Sequence, residues 1–421
     1  MVNSNRNDII VGLGFGDEGK GTTVDYLASQ KKTEYIVKFS GGSQAAHNVV
    51  TPDGRQHTFA QFGSATFHDV KTLLSRFMLV NPFNLAVEAD ALWDNIGYDP
   101  FELLFVSESA LLATPIHVAA NRLREIARGS SRHGSCGQGI GETQSYALLN
   151  KAAPRIGDLR NLDVLRIKLE DYLRYVQREV GDVSSLTPAI EEIINSYALL
   201  LEDREFNIIS DTEIAERITH GYNIFEGSQG VLLDEELGFH PHTTWSTTTA
   251  ENAKLLAKEA GVEAPQVIGV TRSYTTRHGA GPFPSEFTSS DWKLDYPELH
   301  NKFGEFEGAW RGGLLDLVLL DYGVRANGGI DKLSLTHLDY PYQKAVTAYS
   351  ALEKQIPTDL FAGDRIRQEE LTNLLSSESF QKTASIVDIK DEEDLIALIE
   401  KTIGKHPLIK SYGATWQDKV E

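Results

Sequence analysis

The chain has 421 residues, and 40 Lys and Arg against 60 Asp and Glu leave a formal charge of −20. That balance excludes the basic footprint of a protein made for nucleic acid polymers or anionic membrane surfaces, but not small phosphorylated molecules held by a few amides and one lysine. A single cysteine, Cys136, excludes an intrachain disulfide and a cysteine-rich metal site, and the aliphatic runs are too short to span a bilayer, so the expectation is a cytoplasmic protein.

In chain order, residues 8–13 (DIIVGL) read as a buried strand, 14–21 as a Gly-rich turn and Thr22–Ser29 as a helix. A second strand is predicted at 35–39, running into Gly41-Gly42. Leu162, Leu165, Leu169, Leu173, Val176 and Val180 recur at three- and four-residue steps, which predicts an amphipathic helix, and a second helix covers Pro188–Glu202. Strands return at 223–225, 266–271 and 332–335, and an acidic helix covers 391–403. This order predicts an α/β fold with a central, mostly parallel sheet flanked by helices. We read residues 1–421 as one domain with an inserted helical subregion at about 160–205.

The first turn reads Gly14-Phe15-Gly16-Asp17-Glu18-Gly19-Lys20-Gly21-Thr22. It fits both the dinucleotide pattern G-x-G-x-x-G and the phosphate-loop pattern G-x4-G-K, up to a last position that holds Gly21 instead of Ser or Thr. Two carboxylates in such a loop would repel a phosphate. They make sense where Mg²⁺ lies between, or where one of them is a general base, with Lys20 and the turn amides on the phosphate. The plain alternative is a turn with a solvated acidic pair. The second loop, Gly41 to Asn48, places His47 where it can donate to a phosphate at the same sheet edge.

These segments together resemble the adenylosuccinate synthetases, whose pattern has GDEGKGK after the first strand and GGxNAGHT after the second; this chain has GDEGKGT at 16–22 and GGSQAAHN at 41–48. The likeness continues through GSCGQGIG at 134–141, RIGDL at 155–159, FEGSQGVLLD at 225–234 and HPHTTWSTTTA at 240–250. RSYTTRHGAGPFPSE at 272–286 is nearly the family's KAYTTRVGAGPFPTE, and THLD at 336–339 stands for its TKLD.

The resemblance implies a homodimeric enzyme that phosphorylates the 6-oxygen of IMP with GTP and then lets the aspartate amine displace the phosphate. It implies that Asp17 takes the purine N1 proton and ligates Mg²⁺, with the carbonyl of Ala46 completing the metal shell. His47 would steady the transferring phosphoryl group, and Gly16, Glu18, Gly19, Gly21 and Thr22 with Lys20 would hold nucleotide phosphates. On the substrate side it implies Gln44, Gln229 and Thr244. Cys136 replaces a phosphate-contacting threonine, and we read it first as a small buried hydrophobe. Asp339 would read guanine through N1–H and N2–H, beside His337, Ser411 and Gly413.

Departures fall where selectivity is set. The family's arginine-rich amino-acid loop is matched by residues 305–316, which retain Arg311 but add Glu305 and Glu307; Arg272 and Arg277 are possible substitutes. His337 replaces a lysine, which opens the donor to ATP or a deoxynucleotide. Gln138 replaces an arginine, and Lys151 is the nearest basic residue to the arginine supplied by the partner subunit. The phage branch acting on dGMP often replaces the loop aspartate with a smaller residue; Asp17 is retained here, which ranks that reading lower. Three readings stand: the family reaction, the same activation with another amine or nucleotide such as dGMP, and a nucleotide-binding module without catalysis.

Overall fold

The computed structural model describes residues 6–129, 135–288, 308–359 and 364–421. The first strand, β1 (Asp8–Gly12), is buried throughout, with Ile9, Ile10 and Val11 fully excluded from solvent, as a strand covered on both faces requires. It leads through the Gly-rich turn into α1 (Lys20–Gln30) and then β2 (Thr33–Lys38). The hairpin β3 (His47–Val50) and β4 (Gln56–Phe59) follows, and then β5 (Lys71–Leu74), helix α2 (Pro82–Ile96) and β6 (Leu104–Ser107). Four further helices precede the next strand: α3 (Pro115–Arg128), α4 (Ile140–Leu149), α5 (Leu162–Glu179) and α6 (Ile190–Asp203). The second half supplies β7 (Asn207–Ile209), β8 (Tyr222–Gly230), β9 (Gln266–Arg272), β10 (Thr275–His278), β11 (Trp310–Gly313), β12 (Lys332–Thr336), β13 (Pro407–Ser411) and β14 (Lys419–Val420).

Ten of these strands form one sheet in the order β14-β13-β12-β9-β1-β8-β2-β5-β6-β7. Every neighbouring pair is parallel except β13–β14. The loop after β1 therefore opens at the middle of the carboxyl edge, where open parallel sheets bind ligands. The short antiparallel pair β10–β11 sets His278 opposite Trp310 and Arg277 opposite Arg311.

The predicted strands and helices are present, with shifted ends. Helix α1 starts two residues early, at Lys20, because Gly19 caps it in the left-handed region at φ 94°. Strand β8 runs well past the apolar triplet 223–225, because β1 and β2 pair with it on either side. Gly227 permits this: a Cβ there would lie 3.0 Å from the Ile10 carbonyl. The helical stretch 160–205 does not stand apart. Leu165, Leu169, Tyr172 and Val176 of α5, and Ile193 and Tyr197 of α6, share one buried cluster with Leu104 and Val106 of β6.

Candidate active site

A cleft of about 1050 Å³ opens above the loops that follow β1, β2, β8 and β12. Its centre is the turn after β1. Gly16, Asp17 and Gly19 all adopt positive φ, with Asp17 at 60°. Only glycine takes this conformation freely, so Asp17 is held there by its surroundings. Arg272, at the end of β9, donates from Nε to the Asp17 carbonyl, and His278 Nε2 lies 2.9 Å from Asp17 Oδ2. Burial pushes the Asp17 carboxyl upward in pKa, but the His278 hydrogen bond and the charges of His278, Arg272 and Lys20 outweigh it and hold the group below the usual range.

Glu18 points away from the cleft. Its Oε1 accepts from the amides of Gly14 (3.0 Å) and Gly16 (2.8 Å), and its Oε2 takes the Lys20 ammonium at 2.6 Å. The space beneath the loop is closed: a Cβ on Gly12 would come within 2.1 Å of that carboxylate. The Glu18 carboxylate and the Gly16 amide therefore bind each other and brace the turn. Lys20, Gly19, Gly21 and Thr22 line the cleft as expected.

His47 begins β3, with its ring wedged between two acceptors of β8: Glu226 Oε1 is 2.5 Å from Nδ1 and the Ser228 carbonyl 3.1 Å from Nε2. Burial pushes its pKa down, Glu226 pulls it up, and the neighbouring Lys38 adds to the fall. Glu226 is itself fully buried, bonded by the Ser64 amide and hydroxyl and 3.4 Å from the Lys38 ammonium, and it stays ionised. This supporting layer was not read from the sequence. Its one signal is a charged residue inside the apolar run NIFEG. His278 was also missed, although it stands where the family motif has valine.

Two side-chain amides line the part of the cleft nearest β2 and β8. Among the described residues, neither polar atom of Gln44 or of Gln229 has a hydrogen-bond partner, although all four atoms are buried and both side chains line the cleft. Buried polar groups are rarely left so, and this arrangement suits a polar ligand. Ala46, Thr244 and Cys136 lie on the same wall. Cys136 is half-buried there rather than packed in a core. Gln138 turns aside and accepts from Asn84 Nδ2 at 3.0 Å.

At the other end, His337 has φ 60°, and its ring meets Tyr274 edge-on at 5.9 Å and Tyr340 at 5.6 Å. Burial and Arg272 hold its pKa well down, so this is a neutral aromatic surface. Asp339, Ser411 and Gly413 line the cleft beside it.

Besides the Glu18 side chain, two predicted site residues are not brought to the cleft. Lys151 is exposed beyond the end of α4. Arg311 is engaged by protein acceptors: Glu286 at 2.5 and 2.8 Å, and the carbonyls of Gly279 (2.9 Å) and Gly281 (3.0 Å). Arg277 donates to the carbonyls of Ala280, Pro282 and His242. Glu305 and Glu307 lie outside the described residues.

Comparison with known proteins agrees with this geometry. The adenylosuccinate synthetase family model matches residues 9–416. The chain is 34% identical over 346 residues to adenylosuccinate synthetase of Buchnera aphidicola from Schizaphis graminum, covering 80% of this chain and 77% of that one. Against the Chlorobium chlorochromatii enzyme it is 32% identical over 370 residues, covering 83% and 82%. Among solved structures, the fully ligated Plasmodium falciparum adenylosuccinate synthetase aligns with a TM-score of 0.78 at 20% identity, over 98% and 99% of the two chains. Cyanophage S-2L succinoaminodeoxyadenylate synthetase, solved with dGMP and with dATP as an energy donor, aligns at 0.63 and 15% identity, over 99% and 95%. The protein belongs to the adenylosuccinate synthetase family, ligases that form a carbon–nitrogen bond.

Proposed function

We propose that this ligase activates the 6-oxygen of a purine nucleotide, IMP by default, with the γ-phosphoryl group of GTP, and that an amine, aspartate by default, then takes its place. In the first step the O6–P bond forms, GDP leaves, and Asp17 accepts the N1 proton. In the second the amine nitrogen bonds C6, the C6–O bond breaks, phosphate departs and the nitrogen loses its proton. The observation that carries this reading is the convergence of Asp17, Lys20 and His47 with the unpartnered amides of Gln44 and Gln229 on one cleft.

Phosphoryl transfer asks a protein for positioning and charge stabilisation. Lys20 and the amides at the start of α1 supply these for the donor. His47 Nε2, which lies 3.1 Å from the Ser228 carbonyl in this structure, is the group that, when protonated, would turn on the moving phosphoryl oxygens, with Glu226 holding the ring from behind. Asp339 would accept from the guanine N1–H and N2–H, and His337 would lie against the ring.

Mg²⁺ fits the donor set. The Asp17 carboxylate and Ala46 carbonyl are hard oxygens, and no cluster of three or more His, Cys, Asp or Glu forms a cage among the described residues. Mg²⁺ commonly takes one or two protein oxygens and completes its shell with phosphate and water. When bound, it neutralises phosphate charge. A homodimer is part of the reading: Lys151 is exposed, with exposed Leu148 and Leu149 beside it, and would serve a neighbouring subunit.

A second reading keeps the activation and changes the amine. It is favoured by the engagement of Arg311 and Arg277 with protein acceptors, since a dicarboxylate is best held by bidentate guanidinium groups. Incubation with IMP, GTP, Mg²⁺ and aspartate, followed by phosphate release and product mass, tests both. Phosphate release and an aspartate adduct support the first reading. Adducts with other amines only support the second. No phosphate release with any purine nucleotide and amine leaves a binding module. Asp17→Asn should lower kcat by about 10²–10⁴ without unfolding the chain, the range for loss of a general base.

A further inference from the structure

We infer that His278 is a positioning residue for this reaction: its imidazole holds the Asp17 carboxylate in its working orientation. The inference rests on the activation chemistry above. Three observations carry it. The ring nitrogen Nε2 lies 2.9 Å from Asp17 Oδ2, and both residues line the cleft. Asp17 sits on a turn at φ 60°, between Gly16 at 98° and Gly19 at 94°, so its side chain is aimed by a backbone conformation that the surroundings must hold. The neighbouring Arg272 donates to the Asp17 carbonyl, so the backbone of the turn is held by one group while His278 meets the carboxylate.

His278 is well placed to be that tether. It ends β10, whose antiparallel partner β11 fixes its register opposite Trp310, so the imidazole stands on a rigid ribbon instead of a loop tip. A carboxylate that must meet one particular proton loses rate quickly when its orientation is free, because the reacting geometry then has to be found at each turnover. The family motif quoted above has valine at this position, a side chain that cannot donate. The tether is thus a property of this chain. It needs one N–H at the right reach and works whether or not the ring carries a charge.

The test compares wild type, His278→Val and His278→Gln at saturating amine and Mg²⁺, by phosphate release across a nucleotide titration. In His278→Val, kcat should fall about ten- to a hundredfold while the nucleotide KM stays within about threefold, the signature of lost orientation with binding kept. His278→Gln keeps an N–H at similar reach and should stay within about threefold of wild-type kcat. Equal kcat in wild type and His278→Val overturns the inference, as does a glutamine variant impaired as deeply as the valine one. A wild-type chain that turns over no nucleotide removes the chemistry and not the tether. Crystal structures of the three proteins then decide: an Asp17 carboxylate displaced in His278→Val and kept in His278→Gln supports the tether, and one unmoved in both overturns it.

Discussion

Glu226 shows how much of this site lies one layer behind the residues that touch ligand. It is fully buried beside an equally buried Lys38, and it joins His47 and Ser64 to the sheet. Glu226→Gln leaves the Lys38 charge without a counterion, and such a loss costs about 3–5 kcal/mol. Urea unfolding should show that drop, beyond any effect on turnover. His117 gives a pH prediction. It is buried, stacked on Tyr172 at 3.9 Å, and its Nδ1 accepts from the Thr114 amide at 3.1 Å; burial pushes its pKa down to about 3 from 6.5. As pH falls below 6.5 the unfolded chain binds this proton and the folded chain does not, so folded stability declines down to about 3. Relative to His117→Gln, the wild type should lose up to about 1.4 kcal/mol per pH unit across that window, measured by denaturant titration at stepped pH. At this scale the sequence was informative about residues with a motif around them, such as Asp17 and His47. It was nearly silent about what Glu226 does, although the residue lies in the FEGSQGVLLD motif, because support from behind a site follows from strand pairing.

Among the elements, the strands were legible because burial on both faces makes parallel strands read as continuous apolar runs. Their ends were not. Strand β8 carries Ser228 and Gln229 to the cleft, and Glu226 behind it, only because it continues through a polar, Gly-rich segment whose ladder partners come from β1 and β2. Helix starts follow local chemistry more closely. Helix α2 is opened by Asn81, whose side chain accepts from the amides of Phe83 and Asn84, with Pro82 following in the first turn. Asn81→Ala should cost about 1 kcal/mol, visible as a lower urea midpoint with an unchanged slope. The turn after β1 allows no comparable slack. A Cβ on Gly230 would stand 2.1 Å from the Gly14 carbonyl and 2.4 Å from Glu18.

The whole molecule was legible as a fold class, since alternating strands and helices admit few arrangements. Strand order was not, because it is decided by pairings between distant segments. Residues 8–12 end up between 222–230 and 266–272, near the centre of the sheet. The far edge is made by the last residues of the chain, with β13 and β14 closing beside β12. Removing residues 407–421 would expose the β12 edge and delete Ser411 and Gly413 from the cleft. The truncated chain should aggregate on expression, and any soluble fraction should lose GTP-dependent stabilisation in a melting experiment.

The same strand order divides the cleft in a way that bears on how such an enzyme diversifies. His337, Asp339, Ser411 and Gly413 extend from β12 and β13 on one side of β1, whereas Gln44 and Gln229 extend from β2 and β8 on the other. On the proposed reading, the donor's base and the acceptor's base would be read from opposite sides of the turn after β1. Drift in one half need not disturb the other. On that reading, a lineage could trade one energy-carrying nucleotide for another while keeping its acceptor, or the reverse.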